Sequence, residues 1–408
     1  VWLFGISEFS VRLPNVLFHL VYLFFSYKIV KEFKSPLIIV SAFLLLNINP
    51  YLLDFFSAAR GYGISMALLM ASLYYLYLYC KKETGLRYAV VSLIAAEISA
   101  LANISMLNYF IVLVFVLCLL SVFKSPKEKP AIHVFKNIAT LIVILGIFAY
   151  CYLPYVFKLK EAGAFFYGGD DGFWKDTMNS LAGAMMYEIF YSTIAKFPLM
   201  ILALLSLAGA FIFLSVKLIR KLSSWEHSFI FAVFLIISGC VVSIKAQHYF
   251  LHTKFLWDRT ALFFIPLFFL LFSLLLEKLK SFRFAVPAVT GLTFLAVFHW
   301  ACSFNLRYLL SWQSDADTKD AVEFLIQNKK TAYPERVNLN IGIDFVFETN
   351  INFYRVKNKL NWLNFARTEP ADSLNDYFLL YKDSKTNPAV FKAKQLLKFK
   401  KTESVLYE

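Results

Sequence analysis

Residues 105–123 read SMLNYFIVLVFVLCLLSVF and contain no charged side chain. A run of about 20 apolar residues is long enough for an α-helix to cross the roughly 30 Å hydrocarbon core of a bilayer. The whole chain has a similar character, because 59% of its 408 residues are hydrophobic and only 17% are charged. This composition excludes a soluble globular protein and predicts a mainly α-helical, polytopic membrane protein.

Ten apolar runs along the chain predict ten transmembrane helices. The runs are 13–31, 36–50, 63–80, 88–103, 105–123, 137–157, 197–216, 228–245, 260–276 and 284–302. The closest pair, 88–103 and 105–123, is joined by the short step ANIS at 102–105. A single helix over both runs would be far longer than a bilayer is thick, so we interpret them as two short spans.

Lysine and arginine concentrate in alternate loops between these runs. The residues that set the pattern are Lys28, Lys31, Lys34, Lys81, Lys82, Arg87, Lys124, Lys127, Lys129, Lys136, Lys217, Arg220, Lys221, Lys278, Lys280 and Arg283. By the positive-inside rule the loops that carry them are cytoplasmic. The formal net charge of +14 therefore predicts orientation in a membrane and not nucleic-acid binding.

The opposite loops are then predicted to face outward, away from the cytoplasm. They are 1–12, 50–62, about 103–105, 158–196, 246–259 and everything after Cys302. The chain thus starts outside, and it begins with Val1 in place of methionine. We expect the sequence to be truncated at its N-terminus, with one further helix ahead of Val1. This topology predicts a multi-pass protein of the cell (inner) membrane.

Residues 303–408 mix polar and apolar side chains and predict a small extracytoplasmic α/β domain that follows a membrane domain over 1–302. The predicted elements are a helix from Asp317 to about Gln327, strands over 337–345 and 377–381, and a helical segment over 350–356. The first helix carries one apolar face, with Asp317 as its cap. That face consists of Ala321, Val322, Leu325 and Ile326.

Few residues have the spacing of a metal site. The cysteines form no CxxC motif and no Cys/His cluster, which argues against a disulfide framework or zinc; they are Cys80, Cys118, Cys151, Cys240 and Cys302. His248 and His252 would share one face of a helix but lack an obvious third ligand, so we interpret them as a polar interfacial pair. The GGDDG at 168–172 lacks the spacing of a calcium loop and predicts a turn before an amphipathic helix over 173–190. No cofactor is assigned, and a divalent metal stays open.

Polar and charged residues gather in three outward loops beside the predicted spans, where an ionisable group is costly and usually functional. They are Glu8 and Arg12 before the first span, Asp54, Arg60 and Tyr62 in NPYLLDFFSAARGY (49–62), and His252, Lys254, Asp258 and Arg259 before the ninth span. We treat these nine as candidate site residues.

Several of them also have a structural interpretation. Arg12 can extend to the lipid headgroups, and Asp54 can pair with Arg60. Asp258 can stabilise the positive end of the following helix dipole, which does not explain the adjacent Arg259. The alanines and glycine that flank Arg60 in SAARGY would let either a ligand or a helix approach closely.

Three stretches resemble a known family. They are SEFSVRLPNVLFHL (7–20), NPYLLDFFSAARGYGISMALLMASLY (49–74) and FLWDRTALFFIPLFFLL (255–271). They resemble the membrane glycosyltransferases of the C superfamily (GT-C), in the dolichyl-phosphate-mannose-protein mannosyltransferase-like branch that also contains the lipid A aminoarabinose transferases. The resemblance covers roughly residues 1–302 in order and topology, and the soluble tail matches only in general plan.

The resemblance implies transfer of a sugar from a polyprenyl-phosphate carrier to a protein, lipid A or polysaccharide acceptor on the outer face. Cations in a low-dielectric setting would stabilise the phosphate leaving group, a role that suits Arg60, Lys254 and Arg259. A carboxylate would accept the acceptor's proton as it attacks the anomeric carbon with inversion.

The sequence departs from the family pattern at its start. Family members carry their leading catalytic Asp in a loop just ahead of the position where this chain begins, and no Asp precedes Glu8. Either that acid lies upstream of Val1 or the chain is an inactive relative. Glu8 and Asp54 are the acids that can assist it.

Two other classes of function stay open. A transporter or flippase of polyprenyl-linked glycans would also be basic and would bind phosphate, although the internal repeat and matched broken helices typical of transporters are not evident. A purely structural membrane scaffold leaves the outward arginines and aspartates unexplained.

Overall fold

The computed structural model describes residues 4–82, 85–124, 130–163, 167–219, 225–279, 285–332, 334–335, 337–368, 375–382, 384, 393–400 and 402–408. The chain forms two compact units. Arg12–Phe304 form the membrane unit, and Val1–Val11 with Asn305–Glu408 form the C-terminal unit. Some basic residues of the predicted cytoplasmic loops lie outside the described residues: Lys127, Lys129, Arg220, Lys221, Lys280 and Arg283.

Helices α1 to α12 follow one another from Glu8 to Ser303. They are α1 (Glu8–Val30), α2 (Pro36–Asn47), α3 (Pro50–Ser57), α4 (Tyr62–Lys81), α5 (Leu86–Ala102), α6 (Leu107–Phe123), α7 (Pro130–Glu161), α8 (Asn179–Met185), α9 (Ser192–Ile219), α10 (Trp225–Leu251), α11 (Phe264–Leu279) and α12 (Ala285–Ser303). Short 3-10 turns form at Ile104–Met106 and Asp258–Ala261, and a π-helix forms at Phe173–Met178.

Within the described residues, seven helical segments are long and apolar enough to cross a membrane: those of α1, α4, α6, α7, α9, α10 and α12. Helices α2 and α3 form a pair bent by 57°, which would count as an eighth span. Helices α5 and α11 have 17 and 16 residues. At 1.5 Å per residue each is only about 25 Å long, short of the roughly 30 Å hydrocarbon core. The protein is therefore a multi-pass membrane protein, and the predicted ten full spans are not confirmed.

Two predicted loops contain helices. Residues 50–62 are predicted as a loop, yet Pro50–Ser57 form α3, because the Asn49 side chain caps it by accepting the Leu52 N–H at 3.2 Å. Proline in the first turn costs nothing, since that turn leaves its N–H groups unbonded. The helix predicted over 173–190 is instead a π-helix followed by the short α8, and it ends at Met185.

Small and hydroxyl side chains join the most buried helices. The Ser72 hydroxyl of α4 bonds to Ser92 of α5 and to Tyr109 of α6, the latter at 2.8 Å. The Ser99 hydroxyl of α5 donates to the carbonyl oxygen of Ser65 on α4 at 2.8 Å. Such bonds and close packing hold helices together where lipid removes the hydrophobic driving force.

The C-terminal unit contains a four-stranded sheet in the order β1-β2-β4-β3. Its elements are α13 (Thr318–Ala332), β1 (Ile341–Ile343), α14 (Glu348–Lys357), β2 (Tyr377–Leu380), β3 (Gln395–Lys398) and β4 (Val405–Tyr407). Strand β1 is parallel to β2, and β4 runs antiparallel to both β2 and β3. Ala321, Val322 and Leu325 of α13 are buried in its core, as their spacing predicts.

Asp317 does more than precede α13. A 3-10 turn over Leu310–Asp317 leads into the helix, and the Asp317 carboxylate accepts the N–H and the hydroxyl of Thr402 at 3.0 and 2.8 Å. The residue therefore ties the start of α13 to the turn between β3 and β4, a long-range contact that a local capping pattern does not predict.

Candidate functional site

Asn15 of α1 fixes the backbone between α3 and α4. Its Nδ2 donates to the carbonyl oxygens of Ala58 and Arg60, and its Oδ1 accepts the N–H of Ile64 at 3.1 Å. Asn15 is buried, and its amide thereby satisfies three backbone groups at the turn between α3 and α4. The side chain therefore sets the course of the segment that carries Arg60 and Tyr62. Sequence reasoning missed Asn15, although it directly follows the RLP motif.

The glycines around this segment lie where a side chain would not fit. A Cβ on Gly61 would be 2.0 Å from the carbonyl oxygen of Ala102, at the end of α5. A Cβ on Gly63 would be 2.8 Å from the carbonyl oxygen of Phe55. The sequence left open whether these small residues admit a ligand or a helix, and at Gly61 the end of α5 takes the space. The neighbouring Arg60 is exposed.

Asp54 is bound by a tyrosine from a distant part of the chain. The Tyr187 hydroxyl lies 3.0 and 2.9 Å from the two carboxylate oxygens of Asp54. Tyr187 is buried and follows α8 with a left-handed φ of +53°. A phenol that donates to a carboxylate forms a charge-assisted hydrogen bond, which orients the Asp54 side chain. The alternative role of Asp54, an ion pair with Arg60, stays a prediction.

The GGDDG turn holds the segment that leads to Asp258. Gly169 and Phe255 exchange two backbone hydrogen bonds of 3.2 and 2.8 Å. The buried Asp176 of the π-helix packs against Gly169 and accepts the N–H of Gly172 at 2.9 Å. The turn predicted at 168–172 is present. It lies outside the loop of Asp258 and Arg259 but holds that loop in place through the backbone of Phe255.

Asp258 and Arg259 share one tyrosine, Tyr167. The Tyr167 hydroxyl donates to Asp258 Oδ2 at 2.7 Å, and the Arg259 guanidinium lies 4.0 Å from the centre of the Tyr167 ring. Burial raises the pKa of Tyr167, and the nearby Asp258 carboxylate raises that pKa further. The phenol therefore stays protonated as the donor to Asp258. The Asp258 N–H donates to the Ser180 hydroxyl oxygen of α8 at 2.9 Å.

The two candidate loops meet at Tyr62. Arg259, Arg60 and Asp258 all lie close enough to Tyr62 for their charges to be felt at its hydroxyl, and Tyr62 is likewise near Tyr167. We call Arg60, Tyr62, Tyr167, Asp258 and Arg259 the Tyr62 cluster. The structure thus brings together four residues predicted from sequence and adds Tyr167, whose neighbours FFYGG give no signal of a site.

Two candidate residues of the third loop, His252 and Lys254, are not part of the Tyr62 cluster. Lys254 forms an ion pair with Asp170 of the GGDDG turn, and both side chains are well exposed. Helix α10 ends at Leu251, so His252 falls outside it, with a φ of +54°. His248 and His252 therefore do not share a helix face, and His248 stacks on Phe255 instead, with ring centres 4.0 Å apart. Among the described residues, no three His, Cys, Asp or Glu side chains are grouped to hold a metal.

The two candidates at the start of α1 have separate surroundings. Glu8 belongs to the C-terminal unit, where its carboxylate pairs with Lys357 at 2.9 Å and accepts the Tyr354 hydroxyl at 3.2 Å. Arg12 is exposed at the start of the membrane unit. A structural role for Glu8, holding α14, explains its contacts.

An apolar cavity lies between α8, α9 and α11. Its volume is about 40 Å³, and its lining includes Met178, Leu181, Met185, Met200, Phe268 and Phe272. Helix α8 borders both regions, because it supplies Leu181 and Met185 to the cavity and Ser180 to Asp258. An apolar space and a charged cluster therefore share one short helix.

No protein-family model matches the sequence, and a search of curated proteins finds no significant match. The resemblance to GT-C enzymes in three stretches therefore stays a prediction. An assignment of function has to rest on the residues of the Tyr62 cluster and their surroundings.

Proposed function

We propose that the protein is an integral-membrane glycosyltransferase that moves a sugar from a polyprenyl-phosphate donor to an acceptor on the non-cytoplasmic face. The proposal rests on the Tyr62 cluster, in which Arg259 stacks on Tyr167, Tyr167 donates to Asp258, and Arg60 comes near the same place from a distant segment of the chain. A pair of arginines at such a place suits a lipid phosphate.

The chemistry of arginine supports this role. Its planar guanidinium matches the oxygens of a phosphate and can bind two of them at once. The ring of Tyr167 holds Arg259 from one face, and its hydroxyl engages Asp258. As the bond between sugar and phosphate breaks, negative charge grows on the phosphate, and fixed cations in a low-dielectric setting stabilise it most.

Asp54, on α3 just ahead of the segment that carries Arg60, is the candidate base. A carboxylate there would accept the proton of the acceptor hydroxyl or amine as that group attacks the anomeric carbon. The Tyr187 hydroxyl, whose single hydrogen is shared between the two carboxylate oxygens, orients the carboxylate for that role. Attack on the face opposite the phosphate would invert the anomeric configuration.

The apolar cavity supports a lipid carrier over a soluble nucleotide sugar. Helix α8 lines the cavity with Leu181 and Met185, while its Ser180 binds the backbone of Asp258. In the proposed complex the phosphate would lie at the Tyr62 cluster and the prenyl chain would lie against the apolar helices beside it.

The test compares two arginine variants of the full-length protein in detergent, with a radiolabelled polyprenyl-phosphate sugar as donor. We expect Arg60→Ala to lower sugar transfer at least a hundredfold while the protein still inserts and purifies as the wild type does. Arg87→Ala is the matched control, because Arg87 is exposed at the start of α5 and stacks on its neighbour Tyr88. Equal transfer by both variants would contradict the assignment.

Detergent also separates transfer from transport. A flippase would bind the same lipid phosphate but needs a sealed membrane to show activity, whereas a transferase works in micelles. Lipid-linked sugar that moves across vesicle membranes without release from its carrier would favour the transport alternative.

A further inference from the structure

His299 of α12 sits among polar groups inside an apolar helix. It is buried, its Nε2 lies 2.9 Å from the carbonyl oxygen of Met185, and its Nδ1 lies 2.7 Å from the Tyr191 hydroxyl. A histidine within a span is costly unless its ring atoms are bonded, and both are bonded here. His299 of α12 therefore makes two hydrogen bonds to the 185–191 segment, one to each end of it.

The partners settle which ring nitrogen carries the proton. A carbonyl oxygen only accepts, so Nε2 carries hydrogen and donates to Met185. In the neutral ring Nδ1 is then an acceptor, and the Tyr191 hydroxyl donates to it. His299 thus bonds both ends of the segment from Met185 to Tyr191, once as donor and once as acceptor.

The 185–191 segment has a conformation that needs such support. Tyr187 and Glu188, neither of them glycine, have left-handed φ values of +53° and +54°. Such residues cost free energy and persist only where the surroundings hold them. Asn49, the cap of α3, also donates to the Met185 carbonyl oxygen, at 3.4 Å. The segment is therefore fastened to α12 on one side and to α3 on the other.

The held segment delivers one group to the candidate site, the Tyr187 hydroxyl on Asp54. We infer that His299 is a positioning residue, which keeps Tyr187 on Asp54 by fixing the carbonyl of Met185 and the hydroxyl of Tyr191. The kinetic part of this inference rests on the proposed function, in which Asp54 is a base. The structural part, the hold of His299 on Tyr187, does not depend on it.

The structural part is tested by amide hydrogen exchange of the full-length protein in detergent. In His299→Ala the amides of residues 186–192 should exchange about tenfold faster than in the wild type, because local opening no longer breaks the two bonds to the histidine. His299→Gln places an amide donor where Nε2 was, so it should restore most of the protection. Wild-type exchange in His299→Ala would overturn the inference, whatever the protein's activity.

A milder pair of variants guards against misfolding. Tyr191→Phe deletes only the hydroxyl that meets Nδ1, and it should also raise exchange over 186–192. Tyr79→Phe is the matched control, since its buried hydroxyl bonds to Ser121 at 3.0 Å at the other end of α4. Equal exchange in the two variants over 186–192 would contradict a hold by Tyr191.

The kinetic part is tested by a double-mutant cycle on sugar transfer. His299→Ala and Tyr187→Phe should each lower kcat about tenfold and leave KM for the lipid donor nearly unchanged, because the Tyr62 cluster is intact. If His299 acts through Tyr187, the double variant should lose no more than either single variant. Multiplying losses would overturn the coupling, and a wild type without transfer would refute the proposed function while the exchange result stands by itself.

Discussion

The two ends of α4 use charged residues in different ways. At the Lys81 end, lysines meet carboxylates: Lys81 lies 2.6 Å from Glu32, and Lys278 pairs with Glu226. At the Tyr62 end, the charged groups meet tyrosines, with Arg259 on the ring of Tyr167. The first arrangement pairs lysines with carboxylates, and the second sets an arginine on a tyrosine ring and a carboxylate on a tyrosine hydroxyl.

At the Lys81 end a lysine also caps the C-terminus of α4. Lys124 donates to the carbonyl oxygens of Tyr79, Cys80 and Lys82, the last of them at 2.6 Å. These carbonyls belong to the final turn of α4 and to its C-cap residue Lys82, where the helix has no partners of its own for them. A basic residue beside a span therefore does not by itself indicate a site. The groups that surround it decide.

The largest effect should come from filling the space at Gly61. A Cβ there would lie 2.0 Å from the carbonyl oxygen of Ala102, so Gly61→Ala must push α4 and α5 apart. We expect a loss of about 3 kcal/mol in stability, seen as a lower thermal unfolding midpoint in detergent. Gly146→Ala in α7 is the control, because a Cβ at Gly146 meets nothing within 4 Å. Equal midpoints for both variants would contradict the tight packing at the Tyr62 end.

An intermediate effect should follow from Arg259→Lys. The change keeps the charge but removes the planar group that stacks on Tyr167 at 4.0 Å. We expect kcat/KM for sugar transfer to fall about tenfold, and about a hundredfold in Arg259→Ala. Lys278→Arg at the lysine end should keep transfer within about twofold of wild type. If Arg259→Lys left kcat/KM for sugar transfer unchanged, the two ends of α4 would not differ in their need for arginine, and the stacking on Tyr167 would have no role in transfer.

The smallest effect should come from Glu32 and depends on pH. Burial raises the pKa of Glu32, but hydrogen bonds from Lys81 and Tyr77 outweigh it and hold the pKa below its ordinary value of 4.5. The stabilisation is therefore present above about pH 4.5 and is lost as the pH falls further. Since Glu32 is partly exposed, we expect less than about 1 kcal/mol. Unfolding midpoints of Glu32→Gln measured from pH 6 to 3 should change less than those of the wild type, and parallel curves would contradict the pairing.

Local patterns in the sequence predict much of the fold. Seven of the ten apolar runs coincide with described helices that are long enough to cross a membrane, and the spacing of Ala321, Val322 and Leu325 predicts the buried face of α13. Span counting fails where a run is broken, as at Asn49, because the Asn-Pro step both ends α2 and caps α3. Strands β3 and β4 were missed, since QLLK and VLY are too short to show alternation.

Local sequence patterns predict only some residues of the candidate site. Arg60 and Asp258 stand out because charge beside a span is unusual. Tyr167 and Tyr187 do not, since tyrosine is common near membrane surfaces and their contacts cross 91 and 133 residues of chain. His299 lies inside an apolar run, where nothing nearby in sequence marks its partners.

The central claim is that the Tyr62 cluster binds the phosphate of a lipid, and binding of two matched lipids tests it most directly. Polyprenyl phosphate and the polyprenol that lacks the phosphate would be titrated into the detergent-solubilised protein and followed by native mass spectrometry. We expect the wild type to prefer the phosphate at least tenfold, and the Arg60→Ala/Arg259→Ala variant to bind both lipids alike. An undiminished preference in that variant would contradict the claim.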